Sequence, residues 1–260
     1  MNAFTIKIIA LVSMLIDHAG AIMPEAFSFA PYGANIFRVI GRVAFPIFVY
    51  LIAEGFRHTK SPWKFLVRLG AFAIISEIPY DIAFNNGVNF LANTNIFYTL
   101  FLGGTAIFAW ETLIKIEKDD NEHEEQHRAS KLREVLATAR IYIVAIVPLL
   151  GAMWLAELLT ADYGAYGVLF IFIMYIIRPM KWRLAAMVVL CVWQHVWILE
   201  HVFAGGYVPM IHWLMFPATL LPVILFALYN GKRGPGLKWL FYLAYPVHLL
   251  IFVAIVFIFF

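Results

Sequence analysis

Runs of about 20 apolar residues recur along nearly the whole chain, and nothing else in the sequence restricts its fold as strongly, because a helix needs that length to cross the hydrocarbon of a bilayer. They lie at 4–23, 36–55, 65–84, 96–114, 140–160, 163–178, 184–204, 210–229 and 239–259. Charged residues make up only 13% of the 260, about half the share usual in a soluble domain. The runs lack the strict alternation of membrane barrel strands. The expected architecture is therefore all-α: a polytopic transmembrane bundle of about nine spans, forming one domain over 1–260. The lone cysteine, Cys191, excludes an internal disulfide.

Basic residues fall in every second loop: Arg57, Lys60, Lys64 and Arg68; then Lys115, Lys118, Arg128, Lys131, Arg133 and Arg140; then Arg178, Lys181 and Arg183; then Lys232, Arg233 and Lys238. The alternate loops, around 24–35, 85–95, 161–162 and 205–209, contain no Lys or Arg. The positive-inside rule then places the amino terminus in the cytoplasm and, after nine crossings, the carboxyl terminus outside. Ala19-Gly20-Ala21 has the small-x-small pattern of a signal-peptide cleavage site, but Asp-His within the apolar core and a single preceding Lys7 argue for a retained span. The charged cytoplasmic segment 115–139 is expected to extend the flanking helices. Its His123 and His127, four apart, share one helix face, which is expected to be solvated rather than to hold a metal.

Asp17 and His18 stand side by side inside the first span, and a charge at membrane depth is costly enough that it usually serves a function. His18 lies roughly 20 Å above the cytoplasmic end. In the second span Arg38 and Arg42 are one turn apart, as are Glu77 and Asp81 in the third. The two pairs sit at matching depth, which predicts an ion-pair network lining a polar chamber in the outer half of the membrane. Asn85, Asn86, Asn89, Asn93, Asn95, Tyr98, Thr99 and Glu157 fall at the same level, with Glu200, His201 and His212. Convergence of His195, Glu200, His201 and His212 on a zinc ion is the less favoured alternative; no metal is expected.

The stretches LVSMLIDHAGAI, FRVIGRVAFPIFVYLIAEGFRHT, SEIPYDIAF, NIFYTLFLGG and FYLAYPVHLLI resemble, in order, the signature blocks of the TraX family, named after a protein required for acetylation of the pilin amino terminus in conjugation. The resemblance runs from Leu11 to Ile251 and is strongest up to Gly104. It implies a transmembrane acyltransferase of the bacterial cytoplasmic (inner) membrane. Such a protein takes acetyl-coenzyme A from the cytoplasm as co-substrate and acylates an acceptor on the far side, a pilin-like or other peptide amine. Membrane lipid surrounds it, and no nucleic-acid partner is expected.

On that reading His18 is the candidate base, since imidazole suits proton removal from an attacking amine near neutral pH. Asp17, about 100° round the helix from His18, is expected to pair with Arg38 or Arg42, or to orient His18. Arg42, Asn95 and Tyr98 are candidates to stabilise the oxyanion. Arg57, His58, Lys60, Lys64 and Arg68 form a cytoplasmic cluster suited to the donor's phosphates. Pro46, Glu54 and Gly55 suggest an irregular second span beside which the donor's arm passes, and His248, after Pro246, is expected to line the same channel. The chamber also includes Arg38, Glu77 and Asp81. The alternative from another class is a proton-coupled transporter with an Asp/Glu/His relay. It predicts polar residues along the whole path and an internal repeat, and the sequence has neither. A purely structural pilus subunit would not need Asp17-His18.

Overall fold

A computed structural model of the chain describes residues 1–28, 33–85, 87–88, 93–124 and 131–260, with side chains at all of these except 117–124, 131–142, 144, 145, 197 and 238. The described residues form an all-α bundle with no strand. The helices are α1 (Ala3–Ile22), α2 (Asn35–Gly41), α3 (Ala44–His58), α4 (Pro62–Phe84), α5 (Ile96–Glu124), α6 (Lys131–Leu158), α7 (Gly164–Ile176), α8 (Met180–Trp193), α9 (Val196–Phe203), α10 (Met210–Ala227) and α11 (Lys238–Phe259). The predicted helical extensions around the charged segment are present in the backbone of α5 and α6. The side chain of His123, and the whole of Asn86, Asn89, His127 and Arg128, lie outside the described residues.

Each start and break has a local cause. The Asn2 side chain caps α1 by accepting from the Thr5 amide at 2.9 Å, satisfying one of the donors a helix leaves unpaired. Pro62 opens α4 at a position where a missing N–H costs nothing. The expected second span is divided into α2 and α3 at Arg42–Val43. Pro46 has no N–H to offer the Arg42 carbonyl, and the chain there closes tighter turns instead, Arg42 N to Val39 O and Val43 N to Ile40 O. The expected seventh span is likewise interrupted, between α8 and α9.

Among the described residues, six segments are long and apolar enough to cross a membrane: Ala3–Ile22, Asn35–His58, Ile96–Ile116, Met180–Phe203, Met210–Ala227 and Trp239–Phe259. This is a membrane protein. The other three expected spans differ from these for separate reasons. Helix α4 carries Lys64, Arg68, Glu77 and Asp81. The apolar part of α6, Ile146–Leu158, and α7, Gly164–Ile176, are shorter apolar helices. Helix α7 is nonetheless buried among its neighbours, with Val168, Phe170, Ile171 and Met174 fully enclosed. Helix α4 shows the inverted pattern that a bilayer demands. Its inward face holds Ser76, Glu77 and Asp81, all at 0% exposure, and its outward face is the exposed row Ile74, Ile75, Ile78 and Ile82.

The loops sort into two ends. At one, the Met1 amino group donates to the Leu228 carbonyl at 2.6 Å and the Asn230 amide to the Met1 carbonyl at 2.8 Å, so the amino terminus lies against the loop bearing Lys232 and Arg233. Arg57 at the end of α3 reaches the carbonyls that end α7, so those termini share an end as well. At the other, the Asp162 amide donates to the Thr94 carbonyl at 3.0 Å and the Thr94 amide to the Thr160 carbonyl at 3.3 Å, joining two of the loops that lack Lys and Arg.

Candidate acyl-transfer site

Two small residues decide the geometry around Asp17. A Cβ on Gly41 would stand 2.0 Å from Asp17 Oδ1, and one on Gly20 would stand 2.6 Å from the Cβ of Phe37 and 2.8 Å from the Ala34 carbonyl oxygen. Helices α1 and α2 therefore approach at backbone distance, as small residues permit inside membranes. That approach brings both arginines of α2 onto one carboxylate. Arg38 Nη1 donates to Asp17 Oδ2 at 2.5 Å and Arg42 Nη2 to Oδ1 at 3.3 Å, while Arg42 Nε is held by the Arg38 carbonyl at 3.2 Å. The expected partnership of Asp17 with these arginines is present, with both of them at once.

The two ladders do not pair as their matching depth suggested. Helix α2 packs on α1 and α10, whereas α4 packs on α5 and α11. The carboxylates of α4 turn to the following loop: Glu77 Oε2 accepts from the Asn95 amide at 3.2 Å and from Asn95 Nδ2 at 2.5 Å, and Asp81 Oδ1 accepts from Asn85 Nδ2 at 2.7 Å. Asn95 is thereby unsuited to hold an oxyanion, because its Nδ2 is spent on Glu77 and, at 2.8 Å, on the Ala73 carbonyl. Tyr98 is half-buried one turn into α5, near Glu77 and Asp81. Arg42 keeps Nη1 outside any hydrogen bond among the described residues and is the strongest of the three oxyanion candidates.

His18 is oriented by His248 rather than by Asp17. His18 Nδ1 lies 2.6 Å from His248 Nε2, and His248 Nδ1 lies 2.6 Å from the Ala244 carbonyl oxygen. A carbonyl only accepts, so His248 Nδ1 carries the proton and, with both rings neutral, its Nε2 is an acceptor. His18 Nδ1 must then donate, and His18 Nε2 is left with its lone pair. The ring is enclosed by Phe84 and Tyr245, each edge-on with centroids 5.6 and 5.8 Å away.

Asp162, in the short loop between α6 and α7, joins this group, and no charged neighbour in the sequence marks it. It lies within Coulomb range of Arg42, Asp17 and Arg38, and burial pushes its carboxyl up to about 6, against the pull of Arg42. The neighbouring Tyr163, in the left-handed region at φ 65°, lays its ring on Phe45 with centroids 3.5 Å apart. A folded-state pKa above the unfolded value contributes stability that is complete below about pH 4 and is lost as pH rises through about 6. The melting temperature of the parent minus that of Asp162→Asn is therefore expected to fall across that window. A flat difference would show that the carboxyl titrates as in water.

The expected donor cluster divides in two. Arg57 turns inward: its Nη1 donates to Glu54 Oε1 at 2.9 Å and its Nη2 to the carbonyls of Met174 at 3.0 Å, Ile177 at 2.7 Å and Tyr175, closing the end of α7. These bonds take it out of the set free to meet a phosphate at the surface. His58, Lys60 and Lys64 are exposed, with His58 Nε2 3.2 Å from Glu54 Oε2, and Arg68 lies against the Phe65 ring. The zinc alternative is not supported: His195 Nδ1 donates to the Cys191 carbonyl at 3.0 Å, and among the described residues no three His, Cys, Asp or Glu side chains are grouped to hold a metal.

A protein-family model described as TraX protein matches residues 3–256. The chain belongs to the TraX family. It is also 27% identical over 263 residues to the probable fimbrial assembly protein FimC, serogroup H1, of Dichelobacter nodosus, an alignment covering 95% of this chain and 93% of that protein. No solved structure matches. Three of the five blocks that carry the family resemblance, around Asp17-His18, Arg38–Arg42 and His248, meet where α1 packs on α2 and α11.

Proposed function

We propose that the protein is a transmembrane acetyltransferase of the bacterial inner membrane. It would carry an acetyl group from cytoplasmic acetyl-coenzyme A to a peptide amine, such as the amino terminus of a pilin, at the outer side. The observation that carries this reading is the His18–His248–Ala244 relay, which leaves one imidazole nitrogen unprotonated beside two arginines. Membership of the TraX family and the name of the fimbrial assembly relative support a role in pilus assembly. The gathering of basic loops at the end opposite the chamber supports an amino terminus in the cytoplasm.

The chemistry follows from these groups. As the acceptor amine attacks the thioester carbonyl, His18 Nε2 takes the proton that the nitrogen must lose. The carbonyl oxygen becomes an oxyanion beside Arg42, whose charge stabilises it in surroundings of low dielectric. Collapse breaks the carbon–sulfur bond, and the proton on His18 Nε2 passes to the departing thiolate, giving an amide and free coenzyme A. His248 acts through His18 by fixing its tautomer, and Asp17 acts through Arg38 and Arg42.

The test is to purify the protein in lipid nanodiscs, measure acetyl-coenzyme A binding, and follow acetylation of a pilin-derived peptide by mass spectrometry. Binding with peptide acetylation is the expected result. Absence of acetyl-coenzyme A binding, with solute uptake in proteoliposomes driven by a proton gradient, would replace this reading by the transporter.

A further inference from the structure

Far from His18, at the basic end, a second buried charge cluster is incompletely satisfied. Glu54 Oε1 accepts from Arg183 Nη1 at 2.6 Å and from Arg57 Nη1 at 2.9 Å, with Arg183, Arg57 and Glu54 side chains only 4%, 9% and 18% exposed. Arg183 also lies over the Tyr50 ring, its Cζ 3.9 Å from the centroid, and its Nη1 donates to the Tyr50 hydroxyl at 3.0 Å. Two guanidinium charges thus share one carboxylate. At the chamber the same ratio is moderated by Asp162. Here Glu111 is engaged by the Tyr175 hydroxyl, with its Oε1 4.0 Å from Arg178. A buried excess positive charge is costly unless an anion meets it.

The unsatisfied atoms say what that anion looks like. Arg183 Nε and Nη2, and Arg57 Nε, are buried and make no hydrogen bond. Nε and Nη2 form one edge of the planar guanidinium, with parallel N–H groups spaced to grip two oxygens of a single phosphate or carboxylate. Tyr50 and Glu54 hold the opposite side, so the free edge is fixed in direction before any ligand arrives. Exposed His58, which lies 3.2 Å from Glu54, Arg178, which lies over the Tyr175 ring, and Lys181, two residues before Arg183, add positive charge at this end, which favours a multiply charged anion over a single carboxylate. We propose that Arg183, held by Tyr50 and Glu54 and flanked by Arg57, is the receptor for a phosphoryl group entering from the basic end. This site lies about 18 Å from Arg42, 12 residues along α3 at 1.5 Å each. If the phosphoryl group belongs to the thioester donor, the site rests on the acetyltransferase reading. An anionic lipid headgroup offers the same chemistry.

The experiment compares the parent with Arg183→Lys, which keeps the charge but loses the fork, and with Glu54→Gln, which removes the competing carboxylate charge. Coenzyme A and inorganic pyrophosphate are titrated calorimetrically in neutral detergent, and melting is followed in phosphatidylcholine nanodiscs with and without phosphatidylglycerol. Arg183→Lys is expected to weaken coenzyme A and pyrophosphate binding more than tenfold, and Glu54→Gln to tighten both; a purely structural cluster would be destabilised by either change with no such opposition of sign. Loss in Arg183→Lys of stabilisation by phosphatidylglycerol alone assigns the phosphoryl group to lipid. Coenzyme A binding that is equal in the parent and Arg183→Lys, with no lipid difference, overturns the site and leaves the donor reading standing. Pyrophosphate binding that needs Arg183 in a protein unable to bind acetyl-coenzyme A upholds the site and removes the donor reading. Should Arg183→Lys fail to fold, unchanged affinity in Glu54→Gln overturns the proposal by itself.

Discussion

Alanine in place of His18 is expected to lower acetyl transfer by a factor on the order of 10² to 10⁴, the usual contribution of a positioned base. Binding of acetyl-coenzyme A and the melting temperature should change little. His18 makes one side-chain hydrogen bond, to His248, whose ring it also stacks on, and meets the ring edges of Phe84 and Tyr245; the donor's phosphates are expected near Arg183 at the far end of α3. Alanine at His248 separates the two functions of the relay. It leaves His18 in place but removes the acceptor for Nδ1–H, so that the proton is free to sit on the nitrogen that must be empty. The expected result is a smaller loss, confined to the rate constant rather than to donor binding, and partly restored by His248→Asn, whose side-chain oxygen accepts a hydrogen bond. Rates are read as peptide acetylation under saturating donor. A His18→Ala protein that binds donor and transfers acetyl at the parent rate removes His18 from the mechanism.

What the sequence disclosed was what depends on position along one helix. The division at Arg42–Val43 was foreshadowed by Pro46, and the capture of an arginine by Asp17 by its depth and its angle from His18. Pairings that depend on which helices are neighbours were not legible. The ladders Arg38–Arg42 and Glu77–Asp81 agree in depth, yet α2 packs on α1 and α4 on α5, because Gly20 and Gly41 permit one approach and Asn95 draws the other. The His18–His248 contact joins residues 230 apart in the chain, and a mid-membrane histidine after a proline pointed to the channel without showing its partner. Arg183 was hidden in plain view. As one of three basic residues in a loop it satisfied the positive-inside rule, and that sufficient explanation concealed a side chain that is 4% exposed with an unused edge.

The largest structural effect is expected at Asp17 and at Gly41, the residue that makes room for it. Removing the carboxylate by Asp17→Ala leaves two partly buried guanidiniums facing each other across an empty position, a change that typically costs about 3–5 kcal/mol when a buried pair is broken. By the usual scaling for a chain of this size, that lowers the melting temperature by roughly 10 °C. Gly41→Leu should be as damaging by a different route. No rotamer of the new side chain relieves a Cβ that stands 2.0 Å from Asp17 Oδ1, so α2 must move off α1 and both arginines lose their partner. The two routes are told apart by combining Asp17→Ala with Arg38→Gln and Arg42→Gln. If the damage in Asp17→Ala is stranded charge, the combined variant should melt above the single one, since groups sharing one network are not additive. Gly41→Leu should not be rescued by the same removals, because the Cβ of any residue at position 17 still meets the new side chain. A combined variant that melts below Asp17→Ala by the sum of its parts would show that each arginine is held by something other than Asp17, and would free Arg42 for substrate from the start.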